Sequence, residues 1–487
     1  MFDTPDLFAG FFADHPSPLR QRLQPLRGQS LHHLESLLAD RLNPAFLAPN
    51  PDKANSRQRI YTPKITFLAF LDQVLNPGSP CREAVRQIRA YYQTLPQPKH
   101  VSQDDSPYCQ ARARWSLAEL VEIREYFADH QGRPPLPWAL PQPRRPKVVD
   151  ATCLNLPDTP ANRLAYPQSQ SQIDQCGFPL LRATAIFDLA GGALLERAYG
   201  PETKSEQALL QELWPTLRPD DLLLGDRNFG SWSVLAGLGL IPADGLFRLH
   251  ANRNADLRQG RYLRRHERLV TWAKPTRQPA NLTPEQWAAL PAQITVRLIR
   301  FRVPTASSRS KKIILVTTLL DPVLWPARLL AQLYAWRWKI ELYFDDLKTT
   351  LGLDMLSCLS PDMVHKELEM HLVAYNLIRS LMAEAACVCH APLERLSFKG
   401  TLDTARQYSR QIAQIPPSKR KLRRQLYLDM LSVIALDLVP ERPDRFEPRC
   451  QKRRPKAFPF MKRPRPELRA ARVDHLPARR QPRKPRA

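Results

Sequence analysis

The chain has 487 residues, 43% of them hydrophobic, and carries 72 Lys and Arg against 47 Asp and Glu, a formal net charge of +25. That length exceeds one core of ordinary size and predicts two to four structural units. The charge is extreme for a soluble enzyme and selects polyanionic partners, nucleic acid first and an acidic membrane surface second. No segment comes near the ~18 uncharged apolar residues of a membrane-crossing helix. The acidic start MFDTPDLFAGFFADH lacks the basic region of a secretory signal. Eight cysteines are scattered without a Cys-x-x-Cys pair, and CVCH at 387–390 has the wrong spacing for a usual zinc site. They read as reduced thiols of a cytoplasmic protein.

Residues 1–140 are predicted to be mostly helical. SLHHLESLLADRL, ITFLAFLDQVL, REAVRQIRAYYQTL and SLAELVEIREYFADH repeat apolar residues at three- and four-residue spacing. The proline-dense GRPPLPWALPQPRRPK (132–147) reads as a linker or an extended entry into the next unit.

The pattern then changes. KVVDATCL is a short strand delivering Asp150 at its end, and LLRATAIFDL, AGG and ALLERAYG form a hairpin. SEQALLQELW is a helix with Ser205 as N-cap. DLLLGDRNFG is a buried-type strand with Asp226 at its end, and Asp220 and Asp221 are its turn residues. SWSVLAGLGL is a helix and LFRLHA a strand. A basic segment over 251–306 interrupts the order, KKIILVTTLL resumes it as a strand, and PARLLAQLYAWRWKIELYFDDLKTTLGL is one long helix. An amphipathic helix follows from DMVHKELEMHL, with more helix to about 440. From Arg449 to Ala487 there are 15 Lys or Arg against Glu467 and Asp474, so the segment 441–487 is expected to stay disordered until it meets an anion.

The chemistry concentrates in YAWRWKIELYFDDLKTTLGL, which holds three carboxylates, three cations, two tyrosines and two tryptophans in twenty residues. On a regular helix Tyr334, Arg337, Glu341 and Lys348 fall within roughly 60° of arc, along a stripe of about 21 Å. Arg and Lys suit phosphodiester oxygens and Tyr can donate to them. A carboxylate among anion-binding groups makes sense if Glu341 holds a divalent cation that itself touches the phosphate. Asp150 and Asp226, delivered by strands, can complete the ligands of two such ions about 3.5–4 Å apart, the arrangement that serves in-line phosphoryl transfer. On the same helix Trp336 falls opposite the stripe and reads as core. Asp345 and Asp346 read as solvated or salt-bridged, and His365 and His371 as packing or surface residues.

The strand and helix order, with the basic segment set aside, resembles a ribonuclease-H-like α/β core interrupted by a β-rich insertion and flanked by helical N-terminal and C-terminal regions. The spacing Tyr334-x2-Arg337-x3-Glu341-x6-Lys348 resembles the signature of the IS4 family of DDE transposases. VVDATCLNLPD resembles that family's first-acid element, with Ala151 where Gly is common, and GDRNFGSW the element around the second Asp. SPYCQARAR (106–114), the segment from KTTLGLDML to NLIR and the tail KRRPKAFPFMKRPRPELR also look like family segments.

The resemblance implies a DNA transposase performing cut-and-paste transposition of an insertion sequence: 3′-end cleavage, hairpin formation and resolution, and strand transfer. It implies Asp150, Asp226 and Glu341 as catalytic residues holding Mg²⁺ or Mn²⁺, in two ions. Tyr334, Arg337 and Lys348 are implied to contact DNA phosphates and Trp338 a flipped base, with Trp272 as a second wedge and Trp287 behind it. The chain then divides into a DNA-recognition domain (1–140), the first part of the core (141–250), the insertion (251–306), the second part of the core (307–375), a helical region (376–440) and a DNA-binding tail (441–487). The implied partners are double-stranded DNA, as inverted-repeat ends and target, and a second copy in a synaptic homodimer, with no membrane and a place at the bacterial nucleoid. A non-catalytic or domesticated DNA-binding relative would lack one of the acids. A sequence-independent nuclease of the same fold would keep them without needing the Tyr/Arg/Lys stripe.

Overall fold

The computed structural model describes residues 28, 30–48, 60–130, 136, 138–250, 253, 257–303, 311–441 and 460–474. It is a mixed α/β architecture in which a nine-stranded sheet is flanked by helical regions on the N-terminal and C-terminal sides.

The strands are β1 (Arg145–Asn155), β2 (Leu180–Asp188), β3 (Leu194–Pro201), β4 (Asp221–Gly225), β5 (Asp244–Arg248), β6 (Arg261–Arg264), β7 (Glu267–Ala273), β8 (Gln293–Val303) and β9 (Lys311–Thr317). Their order across the sheet is β3-β2-β1-β4-β5-β9-β8-β7-β6. β1, β2 and β3 pair antiparallel as consecutive neighbours, β2 and β3 as a hairpin, whereas β1, β4 and β5 run parallel. β9 returns antiparallel to β5 and carries β8, β7 and β6 on its far side, so the basic segment's strands extend the same sheet.

Alternation along the strands separates two cores. Val148, Leu222, Leu224, Leu246 and Leu315 face one, while their neighbours Val149, Leu223, Phe247 and Val316 face the other. The central strand β4 is buried at every position, and DLLLG carries no alternation because both its faces are covered. The second core is closed by α7 (Glu206–Glu212) and α8 (Trp232–Leu240). Their N-caps are Ser205, whose Oγ accepts from Ala208 N, and Ser231, whose Oγ accepts from Val234 N.

The first core is covered by α-helices from both ends of the chain. On the N-terminal side these include α1 (His32–Leu38), α2 (Pro63–Leu75), α3 (Cys81–Gln93), α4 (Ser106–Ala113) and α5 (Leu117–His130). At its centre is α12 (Pro361–Cys389), 29 residues long and apolar enough in one stretch to cross a membrane. Its surroundings identify it as a core helix. Glu367, Glu369, Asn376 and Arg379 are buried along it and bonded to Ser357, Arg124, Leu194 and Asp346 respectively. A lipid-facing helix could not keep such partners. His371 is buried on Glu367 O and His365 meets the Tyr166 hydroxyl and the Tyr199 ring, both as packing residues.

Several expectations change. β1 does not stop at Asp150. Its parallel pairing with β4 ends at Val148, but its antiparallel pairing with β2 continues to Asn155↔Leu180, so Asp150 lies mid-strand opposite Ala185. Asp221 is a fully buried acid in ion pairs with Arg145 and Lys147, while its neighbour Asp220 does take the turn, at φ 71°. Within the basic tail, Arg465–Asp474 is helical, so the expected disorder does not extend to that stretch; 442–459 and 475–487 lie outside the described residues. The linker prolines are likewise only partly within them, and the last of them, Pro146, is already in β1.

Candidate active site

The expected long helix is three segments: α10 (Ala327–Trp336), α11 (Lys339–Asp345) and a π turn over Asp346–Thr350. At the first junction the bonds tighten to i→i−3, with Arg337 N on Tyr334 O at 3.1 Å and Ile340 N on Arg337 O at 3.1 Å. At the π turn they widen, with Leu351 N reaching Asp346 O at 3.1 Å. Tightening and then widening the coil rotates later side chains away from a uniform wheel, and π turns recur at functional sites. The rotation buries Tyr343, Leu347 and Leu351 together and brings Asp346 onto Arg379 at 2.8 Å. Gly352, at φ 72° against Pro77, ends the segment.

This helix lies along the second half of β1. Arg337 stands between two acids, with one guanidinium nitrogen 3.8 Å from Asp150 Oδ2 and another 3.3 Å from Glu341 Oε1. Lys348 Nζ donates to Cys153 O at 3.0 Å, three residues further along β1. The Tyr334 ring lies under the Arg337 guanidinium at 5.9 Å, and burial raises its hydroxyl pKa. Arg337 and Lys348 thus both reach β1, with Tyr334 and Glu341 held against Arg337. Lys348 is bound to backbone there, although the sequence reading turned it toward phosphate.

Asp226 follows β4 directly and so sits at the carboxyl end of a parallel strand, as its sequence context implied. Its Oδ1 accepts from Asn228 N at 2.7 Å. Burial pushes the Asp150 carboxyl up to about 6. The Ala151 N–H opposes that rise, the Asp226 charge adds to it, Arg337 opposes it, and Glu206 adds to it. Asp150 therefore sits in the field of two further carboxylates and one guanidinium.

Three carboxylates offer oxygen-only donors, the set that suits a hard dication such as Mg²⁺ or Mn²⁺. The donor chemistry fits, yet among the described residues no three His, Cys, Asp or Glu side chains are drawn close enough to form a metal-holding group. Arg337 supplies the positive charge between Asp150 and Glu341.

The tryptophans separate clearly. Trp338 is 48% exposed at the helix junction, beside Arg337. Trp336 packs edge-on against Trp138 at 4.6 Å, as its place on the wheel implied. Trp272 is a correction: it is buried in the second core, its carbonyl accepts from Trp232 Nε1 and Arg253 covers its ring at 4.0 Å, so it is not disposed as a wedge. Trp287 packs against Trp232 beneath Lys274. Asp345 accepts from Thr349 at 2.6 Å and Asp346 is salt-bridged, in line with the reading of both.

Two neighbours of the site carried no sequence signal of their own. Glu206 lies unremarked within the helix SEQALLQELW, and Asn228 within DLLLGDRNFG. Their contact, Asn228 Nδ2 to Glu206 Oε2 at 3.2 Å, joins residues 22 positions apart.

Comparison with known proteins agrees with the motif. Residues 141–377 match the family model described as a transposase DDE domain. The chain is 26% identical over 316 residues to the transposase InsG for insertion sequence element IS4 of Escherichia coli strain K12, a match spanning 64% of this chain and 68% of that one. It also has a slight likeness, with a TM-score of 0.41 and 10% identity over 85% of this chain and 88% of the other, to the piggyBac transposase in a cryo-EM synaptic complex with hairpin DNA.

Proposed function

The chain carries an IS4-family transposase DDE domain at 141–377, and from that premise we propose that it catalyses cut-and-paste DNA transposition with Asp150, Asp226 and Glu341 as its catalytic acids. The observation that carries the reading is the bridging of two acids from separate elements by one guanidinium, with a third acid at the end of the adjoining strand. Asp150 from β1 and Glu341 from α11 share Arg337, and the Asp226 charge at the end of β4 acts on Asp150. Asp150 and Glu341 are 191 positions apart in the sequence, so their bridge is a product of the fold.

The strand order supports a ribonuclease-H-like core. Three antiparallel strands continue into two parallel ones, with the first acid on β1, the middle strand of these five, and the second just past the adjacent β4. On this reading 141–250 and 307–375 are its two parts and 251–306 is the insertion. Asp150, Asp226 and Glu341 would hold two Mg²⁺ or Mn²⁺ ions; when bound, these would lower the pKa of the attacking water or 3′-hydroxyl and stabilise the leaving oxyanion. Arg337 forks onto a phosphate beside the scissile bond, Tyr334 donates to the same strand and Lys348 contributes a point charge. Trp338, the exposed aromatic of the junction, stacks on a base displaced from the duplex.

The helical region 1–140 reads the inverted repeat and the basic tail adds backbone affinity without sequence information. Two copies on paired DNA ends make the synaptic homodimer. The enzyme works in the bacterial cytoplasm at the nucleoid.

Labelled element ends incubated with the protein and Mg²⁺ test the proposal. Hairpin and strand-transfer products are expected, and Glu341→Ala should bind ends without cutting them. Plain cuts on any DNA, or cutting by that variant, would overturn it.

A further inference from the structure

α7 and the loop after Asp226 are clamped together by two consecutive side chains. Glu206 Oε2 accepts from Asn228 Nδ2 at 3.2 Å. Next to it, Gln207 Nε2 donates to Asn228 O at 2.5 Å, and Gln207 Oε1 accepts from Ser231 Oγ at 3.1 Å. On its other side the loop is wedged against β5: a Cβ on Gly230 would lie 2.5 Å from Arg248 O. Held from both sides, the loop presents the Asn228 N–H to Asp226 Oδ1 at 2.7 Å.

The plain account of Glu206 is an acid placed at a helix start, where it meets the dipole of its own helix. That account leaves unexplained why the carboxylate reaches away from its own helix to Asn228, in the loop that carries Asp226. We propose that Glu206 is a positioning residue for the reaction: through Asn228 it fixes the loop that orients Asp226, and its charge strengthens the pull of the acidic site on a divalent cation. The inference rests on the reading that Asp150, Asp226 and Glu341 hold such ions. Outer carboxylates that orient ligands commonly matter at this level.

Glu206→Gln keeps an acceptor for Asn228 and loses the charge, whereas Glu206→Ala loses both. Asn228→Ala loses the link from the loop's side. Each full-length variant is titrated with Mn²⁺ without DNA, following free Mn²⁺ by its electron paramagnetic resonance signal. Single-turnover cleavage of element ends is then measured across Mn²⁺ concentrations. Glu206→Gln should bind Mn²⁺ several-fold more weakly and need correspondingly more for half-maximal cleavage, with the maximal rate kept within about twofold. Glu206→Ala and Asn228→Ala should each lower the maximal rate ~10-fold, and the double variant should lose no more than either alone. Wild-type Mn²⁺ affinity in Glu206→Gln, or fully additive rate losses in the double variant, would overturn the inference. Asp226→Ala separates the two levels. If it abolishes Mn²⁺ binding while the Glu206 variants behave as wild type, only the positioning role falls; if it binds and cuts normally, the catalytic reading itself falls.

Discussion

Glu369 is the carboxylate on which two guanidiniums meet, and neutralising it should measurably loosen the join between helices and sheet. Its Oε1 accepts from Arg124 Nε at 2.7 Å and its Oε2 from Arg197 at 2.8 Å, with Arg124 0% and Glu369 1% exposed. Arg124 lies on α5, Glu369 on α12 and Arg197 on β3, so this one group ties both helical regions to the sheet. Glu369→Gln removes the charge and leaves Arg124 buried. Breaking such a pair from one side typically destabilises by about 3–5 kcal/mol. Arg124 keeps Leu195 O and the half-exposed Glu125, which favours the lower end of that range. With an unfolding entropy of about 2.1 cal/mol/K per residue, a chain of this length loses roughly 3 °C of Tm for about 3 kcal/mol. Thermal melts by circular dichroism read the shift directly. The triple variant Arg124→Met, Arg197→Met, Glu369→Leu should recover most of the loss, because it leaves no unpaired charge. A Glu369→Gln melt within 1 °C of wild type, by the ~3 °C expectation above, would refute the reasoning that desolvation governs this pair.

Other perturbations have defined outcomes. Gly230→Ala places a methyl against the Arg248 carbonyl and must shift the Asp226 loop; it should destabilise by about 1–3 kcal/mol and depress cleavage while end binding, measured by gel shift, persists. Burial works to raise Glu35, but hydrogen bonds from His32 and Lys64 and the Lys64 charge outweigh it and hold the carboxyl down at about 2. Its stabilisation is therefore complete above the ordinary 4.5 and is lost as pH falls from there through about 2; Glu35→Gln should flatten the acid limb of a Tm-against-pH curve, and an unchanged limb would count against the assignment. Trp338→Ala should leave end binding intact and reduce hairpin yield, since the side chain is exposed and its removal opens no core cavity; equal loss of binding and hairpin would argue for a structural role instead.

What was legible in the sequence is what local pattern controls. Val148 and Val149 belong to opposite cores because a strand alternates, and DLLLG is buried throughout because helices cover both its faces. Asp226 could be placed at a strand end because the apolar run stops at Gly225 and Asp226 is followed by Arg227 and Asn228. Asp150 could not, because β1 is prolonged by pairing with β2, a contact made some thirty residues away in the chain. The helix wheel found Arg337 beside Glu341, one turn apart, but missed the tightened junction and the π turn, which answer to tertiary demands such as Asp346 on Arg379. The burial of Trp272 depends on Trp232 and Arg253, which no spacing rule links to it. Glu206 went unseen for the same reason, since a carboxylate at a helix start looks alike whether it serves its own helix or reaches across to Asn228.

The most direct measurement is anomalous diffraction from crystals of the protein with a bound element end and Mn²⁺. Manganese peaks are predicted in coordination with the Asp150 and Asp226 carboxylates and with Glu341, the Arg337 guanidinium having moved to a DNA phosphate. Manganese bound elsewhere, or Arg337 still joined to Asp150 and Glu341 with DNA seated at the site, would contradict the account.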